Sequence, residues 1–156
     1  MFLKYTQIKA ADFFANRASP KGAFKSTFTV KGEYATYQIA ISFLDEYDAV
    51  NFLSKIEIEI NADKIQLIKD AVLYVNSKIL IGHFDLFVDD KPELVFSVSQ
   101  PFVKELGIEM PLLSKIVDII VGTLNSFYPC FMAINNGEID DVKAIDLLML
   151  DPVCEV

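Results

Sequence analysis

Between residues 24 and 60, apolar and polar residues alternate with the two-residue period of half-buried β-strands. Apolar side chains alternate with polar ones in three successive segments: Phe24, Phe28 and Val30 in the first, every second residue of 37–43 in the second and of 56–60 in the third. Gly32 and Glu33 separate the first two segments and favour a type II′ hairpin turn, because glycine suits its first central position. We therefore predict a meander of three strands, with residues 44–52 as an acidic connection before the third.

The next segment has a period near 3.6 residues, which indicates an amphipathic helix. Asn61 is a suitable N-cap and Gly82 a suitable stop, so we expect the helix to lie between them. Five apolar residues form its stripe: Ile65, Ile68, Val72, Val75 and Ile79. Leu67, Tyr74 and Ile81 widen this stripe, so the helix is expected to be buried on more than half of its circumference.

A second pair of strands follows this helix, at residues 83–88 and 93–99. Both segments alternate apolar and polar residues, and residues 89–92 have the composition of a connecting turn. Phe87 and Val95 are apolar on the opposite face. We therefore expect both faces of this hairpin to be covered.

Helical patterns occupy both ends of the chain. The first eighteen residues hold a weak helical pattern with a few apolar residues on one side. Pro111 suits the first turn of a broad apolar helix, and Pro129 is expected either to kink this helix or to end it near Phe127. A last short helix is predicted at residues 140–150.

These elements predict the order α-β-β-β-α-β-β-α-α in a single domain that spans residues 1–156. The strands come as a meander and then as a hairpin, not in the regular alternation with helices that parallel sheets require. We therefore predict an α+β fold, with helices packed on a mainly antiparallel sheet. A chain of 156 residues has the length of one ordinary domain with a sizeable core.

The composition adds a surplus of apolar residues. Hydrophobic residues make up 53% of the chain, with thirteen Phe and six Tyr but no Trp, and the mean hydropathy is +0.35. In so short a chain, we expect part of the surface to be apolar and covered by a partner. We therefore predict a homodimer.

Charge and sequence pattern exclude several classes of protein. A surface that binds nucleic acid needs clustered basic residues, whereas this chain has a net charge of −8 and only 14 Lys and Arg, spread along its length. Residues 110–134 are the most apolar run but contain polar residues and a proline, so no membrane span is predicted. No signal peptide is recognised, and Cys130 and Cys154 form neither a metal spacing nor a disulfide framework. We expect a cytoplasmic protein with two free thiols.

The run Tyr74-Val75-Asn76, followed by Gly82-His83-Phe84 and an alternating hairpin, resembles the middle of the YbjN-like bacterial proteins. A further likeness is Phe127-Tyr128-Pro129, then Ala133-Ile134-Asn135-Asn136-Gly137 and a short helix. The resemblance covers residues 30–148 and implies the type III secretion chaperone-like fold. It also implies a two-layer α+β domain, often a homodimer, whose surfaces bind polypeptide or act in regulation. It carries over no catalytic residue.

Candidate reaction chemistry is sparse. His83 and Asp85 share a strand face and offer an acid–base pair or metal ligands, but transition-metal sites require several N or S ligands and this is the chain's single histidine. We interpret the pair as a surface histidine beside an acid. Asp89-Asp90 lacks the ligand spacing of a calcium loop and is interpreted as a solvated hairpin tip. We predict no enzyme activity, no metal and no cofactor, since no known catalytic or phosphate-binding motif is present.

Two polar residues in apolar surroundings have alternative interpretations. Asn76 either anchors a ligand in a pocket or ties the end of its helix to the neighbouring strand, and we favour the tie because buried amides are normally satisfied locally. Cys130 has no basic residue or histidine near it in sequence, so we expect an inert thiol and not a nucleophile.

The sequence therefore predicts a non-catalytic protein-binding or regulatory module, chaperone-like, that holds a partly folded partner through apolar grooves and strand edges. The alternative is a small-ligand sensor with an aromatic-lined cavity between the long helix and the sheet. Its candidate lining residues are Tyr74, Phe84, Phe96 and Phe127. Such residues more often belong to a close-packed core.

Overall fold

The computed structural model describes residues 25–44, 47–103, 106 and 108–149. The strands within them are β1 (Lys25–Lys31), β2 (Thr36–Leu44), β3 (Ala49–Ile56), β4 (His83–Val88) and β5 (Pro92–Pro101). The α-helices within them are α1 (Ile65–Asn76), α2 (Met110–Asn135) and α3 (Ala144–Met149). The helix predicted in the first eighteen residues, and Cys154, lie outside the described residues.

The five strands form one antiparallel sheet in the order β1-β2-β3-β5-β4. β5 pairs with β3 on one side and with β4 on the other, so the hairpin extends the meander through its second strand. β1 and β4 are the two edges. The predicted α+β class, with an antiparallel sheet and helices, is confirmed.

One face of the sheet carries the core. Along β2, Tyr37, Ile39 and Ile41 are buried while Thr36 and Gln38 are exposed, as the two-residue period predicts. The same face of the other strands contributes Phe28, Val30, Val50, Phe52, Ile56, Phe84, Leu94, Phe96 and Val98. The helices meet it with Ile68, Val72, Val75, Ile116, Ile120, Leu124 and Phe131. Each fully buried side chain of this size contributes about 1.5–3 kcal/mol, so this single layer of contacts carries most of the stability.

The turn between β1 and β2 is not the predicted type II′ turn. Residues 32–35 connect the strands, and the Gly32 N–H donates to the Ala35 carbonyl over 2.8 Å. Gly32 does not adopt the positive φ that a II′ turn requires. Glycine is needed there for a different reason, because a Cβ would lie 2.1 Å from Cε2 of Tyr37.

The third strand lies earlier in the chain than predicted. β3 begins at Ala49, inside the expected acidic connection, and ends at Ile56. Ile58 and Ile60 stay buried while Glu57 and Glu59 stay exposed, although these residues pair with no strand. The alternation at residues 56–60 therefore reflects burial of alternate side chains after the strand has ended. It does not mark residues that are hydrogen-bonded to a neighbouring strand.

The first helix is shorter than predicted at both ends. A 3₁₀ turn, Ala62–Lys64, precedes it, and the Asn61 side chain makes no capping hydrogen bond. α1 ends at Asn76, and Gly82 lies in the following loop with φ of 81°. Ile81, expected to widen the buried stripe, lies in that loop and is half exposed.

α2 continues through Pro129 and does not end near Phe127. Proline removes one helical hydrogen bond, but buried side chains on both sides of it hold the helix against the sheet. By length and composition alone α2 could also cross a membrane. Its exposed side carries Lys115, Asp118 and Ser126, which is the pattern of an amphipathic core helix.

Candidate functional site

His83 and Asp85 form a pair on the outer face of the sheet. His83 Nε2 lies 2.9 Å from Oδ2 of Asp85 and 3.3 Å from Oγ of Ser97 on β5. Both ring and carboxylate are about half exposed. The described residues place no group of three metal-ligating side chains here or elsewhere. The predicted surface pair is confirmed.

Asn76 connects the end of α1 to β4. Its Nδ2 donates to the Phe84 carbonyl and its Oδ1 accepts from the Phe84 N–H, both over 2.8 Å. The amide thus pairs with β4 as a neighbouring strand would, and the predicted structural tie is confirmed. Since both backbone groups of Phe84 face Asn76, they point away from β5.

This orientation sets the direction of the other backbone groups of β4. In an antiparallel pair, successive residues alternate between facing the partner strand and facing away. Leu86 and Val88 are in phase with Phe84, so their N–H and C=O groups also face the free side of the sheet, where no described strand pairs with them. Phe87 and Val88 are 51% and 41% exposed beside them. We call residues 86–88 the open edge.

Two further asparagines, which the sequence interpretation missed, hold α2 in place. Asn125 Oδ1 accepts from the Glu33 N–H at 2.9 Å and from the Tyr37 hydroxyl at 3.0 Å. Burial, with smaller effects of nearby Tyr128 and Glu33, raises the pKa of Tyr37 to about 12, so the hydroxyl is a constant donor. The available signal was an amide beside the apolar face of this helix.

Asn135 is the last residue of α2, and it is buried. Its side chain accepts from the Asn61 N–H and donates to the Glu59 carbonyl, both over 2.9 Å. The side-chain Nδ2 of Asn61 donates in return to the backbone carbonyl of Asn135 over 2.9 Å. These hydrogen bonds give partners to backbone groups of residues 59–61, which follow β3 and are not paired with a strand.

The structure brings three of the four candidate cavity residues together. The rings of Phe84 and Phe96 are fully buried with centroids 4.7 Å apart, and Phe127 lies 5.9 Å from Phe84. These rings pack against each other as core. Tyr74 lies apart, with its hydroxyl donating to Asp146 on α3.

Lys78 completes a cluster with Tyr74 and Asp146. Its Nζ lies 2.8 Å from Oδ1 of Asp146 and 4.6 Å from the centroid of the Tyr74 ring. Hydrogen bonds from Lys78, and then from Tyr74, lower the pKa of Asp146, and the bond to Asp146 is the main cause that raises the pKa of Lys78. The cluster ties α3 to the end of α1.

An open groove of about 500 Å³ lies beside this cluster, between the loop after α1, the exposed side of α2 and the end of α3. We call it the apolar groove; its lining is Lys78, Ile79, Leu80, Ile81, Ile119, Gly122, Thr123, Ser126, Phe127 and Met149. Leu80 is 99% exposed and Ile81 48%. A Cβ at Gly122 would meet no atom within 4 Å, so the floor is open.

Cys130 is buried in α2, and its thiol lies 3.9 Å from the Ser126 carbonyl. Burial raises the pKa of this thiol, which keeps it in the less reactive protonated form. This burial agrees with the expectation of an inert thiol.

The comparisons with known proteins agree with this architecture. No protein-family model and no curated protein matches the chain. The fold is similar to the crystal structure of YbjN from E. coli, a proposed transcription regulator, with a TM-score of 0.53, 13% identity and coverage of 84% of this chain and 93% of that one. At this identity the likeness concerns the fold alone. The resemblance to YbjN-like proteins, first seen in short sequence motifs, is thus confirmed for the fold of the chain.

Proposed function

We propose that this protein is a non-catalytic module that binds polypeptide at the open edge and acts as a regulator or chaperone-like holder of a partly folded partner. The observation that carries the proposal is the backbone of Leu86 and Val88, which no described strand pairs on its free side, beside exposed Phe87. An extended chain that pairs there gains backbone hydrogen bonds, and its alternate side chains can contact Phe87. The similarity in fold to a proposed transcription regulator supports a regulatory role.

The polar side chains support a binding role over a catalytic one. Each of His83, Tyr74 and the three asparagines described above has a partner on another element or connecting segment, which for His83 is Ser97 on β5. Within the described residues, no buried side-chain nitrogen or oxygen lacks a hydrogen-bond partner. We also propose a cytoplasmic protein; the charged exposed side of α2 supports a position outside the membrane.

Reduced lactalbumin with blocked thiols, which stays unfolded in buffer, is a suitable probe. Val88→Pro removes the N–H that faces the free side, but it leaves the ladder to β5 intact, because Val88 faces β5 as a non-hydrogen-bonded residue. We expect the variant to bind the labelled probe about fivefold more weakly in fluorescence anisotropy, since one hydrogen bond contributes about 1 kcal/mol. Phe87→Ser should also weaken binding.

Leu73→Ser serves as the matched control, because Leu73 is exposed on α1 and lies outside the open edge. It should bind the probe as the natural protein does. The proposed function would be contradicted if the natural protein did not bind the probe. It would also be contradicted if Val88→Pro and Phe87→Ser both bound the probe as tightly as the natural protein does.

A further inference from the structure

We infer that the apolar groove and the exposed side of α2 form the surface through which two copies of this chain associate. This surface is separate from the open edge, so the inference goes beyond the proposed function. A single exposed leucine is ordinary on a monomer, but here Leu80, Ile81 and Met149 surround one groove. Leu147, 70% exposed, and Leu148 adjoin Met149 on α3.

The size of this surface suits a dimer. Leu80, Ile81 and Met149 supply the exposed apolar part of the groove, which is a share of the roughly 800 Å² that each partner buries in a standard protein interface. The exposed residues of α2 that border the groove supply the rest.

The charges of the surface also suit a second copy. The chain has a net charge of −8, and repulsion between copies opposes association unless the contact surface is locally neutral. Among the described residues that line the groove, Lys78 is the single charged one, and Asp146 neutralises it at 2.8 Å. The surface is therefore neutral where the rest of the molecule is acidic.

The exposed side of α2 is complementary to itself. Lys115 and Asp118 lie one turn before the groove residues Ile119 and Gly122, and neither has an ion-pair partner within the described part of the chain. A two-fold axis between residues 116 and 117, with the two α2 helices antiparallel, places Lys115 of each copy opposite Asp118 of the other. In such an isologous contact, every favourable pair of residues occurs two times.

The same axis gives the groove an occupant. It brings Leu112 of the second copy close to Gly122, where the floor of the groove is open. Leu112 is an exposed leucine at the start of α2. Each copy thus supplies both the groove and a side chain that enters the groove of its partner.

Sedimentation equilibrium of the full chain at micromolar concentration tests this arrangement. We expect twice the monomer mass of 17.5 kDa for the natural protein. Lys115→Glu and Asp118→Lys should each weaken the dimer about tenfold, because each reversal places like charges together. The double variant, with both charges exchanged, should restore the dimer. Leu80→Asp should give monomers.

Lys69→Glu is the control for charge reversal, since Lys69 is exposed on α1 outside this surface, and it should leave the dimer intact. Circular dichroism melts verify that each variant is folded. A monomeric natural protein, a dimer that Leu80→Asp and both reversals leave unchanged, or reversals that the exchanged pair does not restore, would each overturn the inference. A monomer that still binds the unfolded probe at the open edge would leave the proposed function standing.

Discussion

At the scale of single residues, three asparagines do what backbone groups do within a helix or sheet. Asn76, Asn125 and Asn135 each bond the main chain of a segment that no strand or helix satisfies. Asn76 could be predicted, because its partner lies only eight residues away. The hydrogen bonds of Asn125 and Asn135 could not be predicted, because the partners lie 92 and 74 residues away in the chain. Periodicity gives no information about pairs so far apart.

Gly82 and Gly137 form a matched pair for a test at the same scale. Both have positive φ, so alanine at either position costs about 1–2 kcal/mol of folding free energy. At Gly82 the new Cβ would also lie 2.6 Å from Cζ of Phe96 and 2.7 Å from the Ser97 carbonyl oxygen, whereas at Gly137 its nearest neighbour is 3.7 Å away. We expect Gly82→Ala to lose about 1–3 kcal/mol more than Gly137→Ala in urea unfolding. Equal losses would show that packing of this loop against β5 is not as described.

At the scale of elements, hydrophobic period identified the type of the described α-helices and strands but not their ends, and it placed β3 (Ala49–Ile56) several residues too late in the chain. Burial alternates past the end of β3 through Ile60, because Asn135 holds that segment against the core without a ladder. α2 passes through Pro129 because tertiary packing outweighs the loss of one helical bond. The ends of elements depended on such contacts between distant segments, which no local pattern contains.

The role of Asn76 at the edge of β4 gives a prediction at this scale. Asn76→Ala frees the N–H and C=O of Phe84, which lengthens the open edge from residues 86–88 to residues 84–88. We expect the variant to be less stable by about 1–3 kcal/mol, because it leaves polar groups without partners. We also expect it to bind the unfolded probe about fivefold more tightly, since the edge gains hydrogen-bonding groups.

Asn136→Ala is the control for this variant, because Asn136 is an exposed asparagine outside the edge. It should change neither stability nor probe binding. If Asn76→Ala bound the probe no more tightly than the natural protein, Asn76 would be a tie for α1 alone and not a cover for the strand edge.

At the scale of the whole molecule, the fold could be predicted from the sequence, but the apolar groove could not. The groove combines the loop after α1, the middle of α2 and the end of α3, which lie up to about seventy residues apart in the chain. The sequence indicated only that some apolar surface would remain exposed. Which residues form the groove depends on the position of α3. The cluster of Tyr74, Lys78 and Asp146 fixes that position by bonding α3 to the end of α1.

This dependence predicts how acid affects the molecule. The folded pKa of Asp146 lies below its ordinary value of 3.8, chiefly because of the hydrogen bond from Lys78. The cluster therefore stabilises the fold fully above that ordinary value, and the contribution is lost as the pH falls through the folded pKa. The protection of the α3 amides, measured relative to the intrinsic exchange rate at each pH, should fall in that range, and Met149 should leave the groove with α3. Asp146→Asn should give weakly protected α3 amides already at neutral pH, with little further loss of protection on acidification, whereas Asp89→Asn, at the exposed turn between β4 and β5, should behave as the natural protein. Slow exchange of α3 in Asp146→Asn at neutral pH would mean that Ile145, buried in the core, holds this helix without the cluster.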